Sequence, residues 1–119
     1  MKQIYCFEIN KNQFYSYKQK SANIFLIEDN KQARMINSFE YIAFEKQSNN
    51  LRKTPILCYV KNIYYFLDIK EAVATFGTKK CGFAENMSIE QVSDLFLNNK
   101  SVVRIEKLGI VAIEFEFKK

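Results

Sequence analysis

Apolar and polar positions alternate along most of the chain, and the spacing turns helical in only a few places. Residues 3–9, QIYCFEI, read as a strand with Ile4, Cys6 and Glu8 on one side and Tyr5, Phe7 and Ile9 on the other. Asn10-Lys11-Asn12 then reads as a turn, because Asn tolerates positive φ. Residues 13–19 continue as a second strand, with Tyr15 and Tyr17 opposed by Phe14, Ser16 and Lys18, and residues 23–28, NIFLIE, form a third. Residues 33–46 fit two patterns. Met35, Ile36, Phe39, Ile42 and Ala43 share a helical face, while Met35, Phe39 and Tyr41 also alternate against Ile36, Ile42 and Phe44. A helix from about Ser38, capped by its hydroxyl, is the expectation.

Residues 47–54, QSNNLRKT, read as a loop. PILCYV (55–60) and IYYFLD (63–68), separated by Lys61-Asn62, read as a hairpin. A short helix follows. Asp68 caps it, Glu71 stands at the capping-box position, Ile69, Ala72, Val73 and Phe76 share a face, and Gly77 ends it. Residues 78–87 are loop. Ser88 and Gln91 then open a second helix with the stripe Ile89, Val92, Leu95 and Phe96, ending at Asn98-Asn99. SVVRIE (101–106) and IVAIEFEF (110–117) close the chain as strands joined around Lys107-Leu108-Gly109. In the last one Val111, Ile113, Phe115 and Phe117 oppose Ala112, Glu114 and Glu116, which suits a sheet with one wet face. The pattern predicts one α+β domain over residues 1–119: a mostly antiparallel sheet with two or three short helices on one face.

Composition agrees with one packed core. The chain has 119 residues, 48% of them hydrophobic and 15% aromatic, with only three glycines and one proline, which excludes a disordered or linker-rich chain. There is no histidine, so Ser-His-Asp triads, Cys-His dyads and the common zinc sets are excluded. Three cysteines without a C-x-x-C spacing point to a reducing compartment, and a cytoplasmic location is expected. No signal peptide or membrane-length apolar run is visible; a membrane segment would have to lie outside this chain. The net charge of +5 permits an acidic partner without demanding one.

Five groups of residues were weighed for chemistry. The Asn10–Asn12 turn lacks the glycine that lets backbone N–H groups reach phosphate, so it reads as an ordinary turn that binds no nucleotide. Cys81, beside Lys79 and Lys80, would have a lowered thiol pKa, yet nothing nearby in sequence supplies a base; Cys6 and Cys58 read as small core residues. Glu114 and Glu116, with Glu106, read as a solvated strand face rather than a catalytic pair. Tyr15 and Tyr17 with Lys18 and Lys20 could stack bases and meet phosphates, although the RNA-recognition signature is absent. The last group is the aromatic supply itself, seven Tyr and eleven Phe. IYYFLD is apolar on both faces, so it is either covered twice or waits for a partner. No catalytic, cofactor-binding or metal-binding residue is expected. Partner contacts are assigned to Tyr15, Tyr17, Tyr64 and Phe66.

Three opening strands, a helix and further strands resemble the start of an actin-like domain. Active members carry Asp-x-Gly between the first two strands, where this chain has Glu8-Ile9-Asn10 and no glycine. The chain resembles the degenerate actin-like cytoplasmic domains of inner-membrane type IV pilus and type II secretion proteins. That resemblance implies a non-enzymatic adaptor that docks an assembly ATPase at the cytoplasmic face of the inner membrane. The hairpins at 55–68 and 101–117 depart from such a half-domain. The alternative is a small basic nucleic-acid-binding or regulatory protein of mobile-element origin.

Overall fold

The computed structural model describes residues 4–46, 55–98 and 109–117. They form β1 (Tyr5–Ile9), α1 (Lys11–Lys18), β2 (Ile24–Glu28), α2 (Lys31–Arg34), β3 (Tyr41–Lys46), β4 (Ile56–Phe66), α3 (Ile69–Phe76), α4 (Ile89–Asn98) and β5 (Ile110–Phe117). The class is α+β. The five strands make one sheet in the order β1-β3-β4-β5-β2. Only the β1–β3 pair is parallel; β3–β4, β4–β5 and β2–β5 are antiparallel.

The sheet is covered on two faces, not one as the sequence suggested. Phe14 and Tyr17 of α1 and Ala33 by α2 pack with Phe25, Ile42, Phe44, Val60 and Phe115. Ile69, Ala72 and Val73 of α3 and Val92 of α4 pack with Ile24, Leu26, Ile110 and Ala112. Strand alternation explains this division, since neighbouring residues of β2 and β5 feed opposite clusters.

Three local expectations are overturned. The second expected strand, residues 13–19, is instead the body of helix α1 (Lys11–Lys18) and its C-cap Gln19. The Asn10 side chain accepts a hydrogen bond from the Gln13 N–H at 2.8 Å, so it caps α1 instead of turning a hairpin. Phe14 and Tyr17, three apart, then reach the same core. Residues 41–46 are a strand where a helix from Ser38 was expected. Ile42 and Phe44, both fully buried, decide the period, and the nearby helix is the short α2 capped by Asn30. The supposed hairpin at 55–68 is one long strand. β5 pairs with it from Cys58↔Phe117 to Phe66↔Ile110, so the chain runs straight through Lys61-Asn62 with only a bulge there.

The two later helices stand as read. Asp68 accepts from the Glu71 N–H at 2.8 Å, and Gly77 follows α3 at φ 89°. Ser88 and Gln91 bond reciprocally, at 2.8 and 3.1 Å, ahead of α4. Leu95 departs from the expected stripe, being 43% exposed. The 47–54 loop and the SVVRIE strand lie outside the described residues. Gly109 enters β5 at φ 77°, and a Cβ there would sit 2.6 Å from the Phe66 carbonyl oxygen. Only glycine fits both the backbone and the space. No described helix is long and apolar enough to cross a membrane.

Candidate functional site

The four residues assigned to partner contact do not form one surface. Tyr17 is fully buried. Its ring meets Phe25, Phe44 and Phe115, the latter two at 4.9 Å, and its hydroxyl donates to the Ile24 carbonyl at 3.0 Å while accepting from Gln13. Burial raises its pKa well above the usual value. Tyr17 is therefore a core residue, and its assignment as a contact is corrected. Phe66 is half-buried against Phe76 of α3. Tyr64 is exposed, but its ring lies 5.3 Å from Phe76 and its hydroxyl meets Glu114 at 3.3 Å. Burial, then the Glu114 charge, raises its pKa. Tyr15 lies on α1, on the other side of the sheet.

The thiol at Cys81 is also not the group its lysine neighbours suggested. It is buried under α3 and α4, and desolvation pushes its pKa up to about 12. Cys58 is likewise buried and pushed up to about 12. Cys6 is the exception, exposed rather than in the core. Glu114 and Glu116 sit on the strand face, Glu114 accepting from Asn62 and Glu116 facing Lys61 at 3.8 Å. Among the described residues no group of His, Cys, Asp and Glu is placed to hold a metal ion.

What the sequence did not reveal is a part of the sheet that no described helix covers. Cys6, Ala43 and Leu57 stand in one row across β1, β3 and β4, with Cys6 exposed, Leu57 half-buried and Ala43 buried; the half-buried Tyr41 and Tyr59 and the exposed Glu116 stand in the next. They alternate with the core residues Ile42, Phe44, Cys58 and Val60, so they face away from α1. None of them belongs to the cluster under α3 and α4. Ile4, 50% exposed, continues the row.

Phe39 extends this surface. Its ring lies 6.1 Å from Tyr59, and Tyr59 lies 5.5 Å from Tyr41. Phe39 is 67% exposed and has φ 71°. Its N–H donates to the Val60 carbonyl, and the Val60 N–H donates to that of Glu40, both at 2.8 Å, which pins the strained backbone. A left-handed conformation costs a bulky residue about 1–3 kcal/mol. Here that strain holds a ring that is largely outside the core. Lys20, the other described non-glycine residue at positive φ, reaches the same end of the sheet. It lines a cleft of about 650 Å³ together with Asn23, Tyr41, Tyr59, Glu116 and Phe117. The signal available in the sequence was the pair Phe39 and Tyr41 ahead of an alternating run, hidden by the competing helical reading.

No protein-family model and no curated protein matches the chain. Solved structures do. The crystal structure of hypothetical protein PH0355 is 20% identical, with a TM-score of 0.80 over 98% of this chain and 100% of that one. The solution structure of protein PF0455 from Pyrococcus furiosus is 16% identical, with a TM-score of 0.71 over 98% of this chain and 99% of that one. At such identities the likeness extends to the fold alone.

Proposed function

We propose that the protein is a non-enzymatic interaction domain that docks another protein on the β1–β3–β4 face that no described helix covers. One observation carries this reading. An exposed Phe39 is held at φ 71° beside Tyr59, on a face where no helix among the described residues covers Leu57, Tyr41 and Ile4. Strain that serves no core contact points to function, and aromatic groups in a protein surface dominate binding energy. The face offers rings, a thiol and aliphatic groups, with Glu116 and Lys61 at its rim. That composition suits an apolar partner surface with a polar border.

The specific form of the proposal is the one the pilus and secretion resemblance implies: an assembly ATPase docked at the inner membrane. The three-stranded opening on which the resemblance rested is replaced here by β1, α1 and β2. The docking face does not depend on that opening. A Leu57→Glu/Tyr59→Glu variant tests the reading by pull-down against the native protein, with circular dichroism to confirm that it folds. The folded variant should lose a partner that the native protein retains. Equal recovery by both would overturn the reading.

A further inference from the structure

α1 carries Lys11, Tyr15 and Lys18 on one face, at the spacing that aligns side chains along a helix. All three are exposed, while Phe14 and Tyr17 turn into the core. The helix contains no acidic residue. From β3, Lys46 joins the stripe: its ammonium lies 5.3 Å from the centre of the Tyr15 ring and 3.4 Å from the hydroxyl. The hydrogen bond from Lys46, then its charge and those of Lys11 and Lys18, lowers the pKa of the Tyr15 hydroxyl. Lys11 and Lys18 are about 10 Å apart along the axis, at about 1.5 Å per residue. The stripe does not stop at the helix end. Lys20, two residues beyond α1, turns over Phe117 at 6.0 Å and opens the cleft lined by Tyr41 and Tyr59.

A line of ammonium groups leading to accessible rings fits a charged backbone that carries flat, stackable groups. We propose that the outer face of α1, continued through Lys20 into the Tyr41–Tyr59–Phe117 cleft, binds a single-stranded polynucleotide. The lysines take successive phosphates, and the rings of the cleft take unstacked bases. Arg34, the one arginine among the described residues, is held by Asp29 through two bonds of 2.7 Å, so no described fork of donors is free to read base edges. Binding is accordingly tolerant of sequence. The rings Tyr41 and Tyr59 are shared with the docking face, whereas the lysines of α1 lie on the opposite side of the sheet from Leu57, so the lysine variants test this activity separately from docking.

The test is fluorescence anisotropy with labelled oligothymidylate and oligouridylate, with a duplex and phosphatidylserine vesicles as competing probes. Three or four phosphate contacts give a slope of log affinity against log salt of about −2 to −3, or a loss of about twenty- to fiftyfold between 50 and 200 mM salt. Lys11→Ala/Lys18→Ala/Lys46→Ala should abolish most of that slope. Lys31→Ala/Lys70→Ala/Lys79→Ala removes the same charge from other exposed positions and should leave affinity within about twofold. Phe117→Leu should weaken binding by about fivefold or more without changing the slope. The proposal fails if neither oligonucleotide binds saturably at low salt, or if the two triple variants lose affinity equally. It also fails if duplex binds as well as single strands, or if only vesicles bind.

Discussion

The rings of Phe7 and Phe25 lie 4.9 Å apart, although their strands are the two outermost in a five-stranded sheet. Four steps of a flat sheet would separate them by about 19 Å. The sheet is therefore curled until its rims approach, and Phe44, Tyr17 and Phe115 fill the space inside. Curling also leaves the Cys6–Ala43–Leu57 and Tyr41–Tyr59 rows outside the cluster under α3 and α4, which reaches β4 only around Tyr64 and Phe66. The core and the candidate surface have one origin.

This closure can be measured. Phe44→Ala and Phe25→Ala each empty part of the interior and should cost about 3–5 kcal/mol in denaturant unfolding. Phe7→Ala should cost less, since Phe7 is only half-buried. A double-mutant cycle between Phe7 and Phe25 should give a coupling of about 0.5–1.5 kcal/mol. Zero coupling would mean that the rims do not meet.

Tyr17 ties the interior to β2. Tyr17→Phe keeps the ring packing but removes the donor to the Ile24 carbonyl and the acceptor for Gln13. Urea unfolding should show a loss of about 1–3 kcal/mol. A tyrosine serving only as a surface contact would show almost none.

Phe39 sets stability against binding. Phe39→Gly relieves the left-handed backbone and should raise stability by about 1 kcal/mol, since little of the ring is buried. The same change should weaken partner recovery. A loss of stability instead would show that the ring supports the fold.

The cysteines give a pH signature. Burial raises the thiol pKa of Cys58 and Cys81 from an ordinary 9.0 to about 12. The unfolded chain then holds fewer protons than the folded one between these values, so stability is full below pH 9 and falls as pH rises towards 12. Tyr17, raised by its own burial, adds to the fall. Replacing both thiols by alanine should flatten the part that begins at about pH 9. In the native state a thiol reagent should modify Cys6 and spare the other two.

The parts of the fold legible in the sequence were those with local, redundant signals. Asp68 with Glu71 and Ser88 with Gln91 announce α3 and α4 by side-chain chemistry, β1 and β5 show by alternation, and β2 by its short apolar run. The failures share one cause. In residues 13–19 and 33–46 both periods fit, and the decision came from which rings could enter a core built by distant strands. The bulge at Lys61 likewise exists because β5 pairs on both sides of it. The candidate surface was hidden for the same reason: strand order determines that α3 and α4 pack over β2, β5 and the Phe66 end of β4, and do not reach the side of β3 that faces away from α1.

The most direct test of the docking proposal is photo-crosslinking in the native host, with a photoreactive residue at Leu57 and, as a control, at Lys70 on the outer side of α3. The proposal requires a discrete protein adduct from Leu57 and none from Lys70. No adduct at Leu57, or the same adducts from both positions, would contradict it.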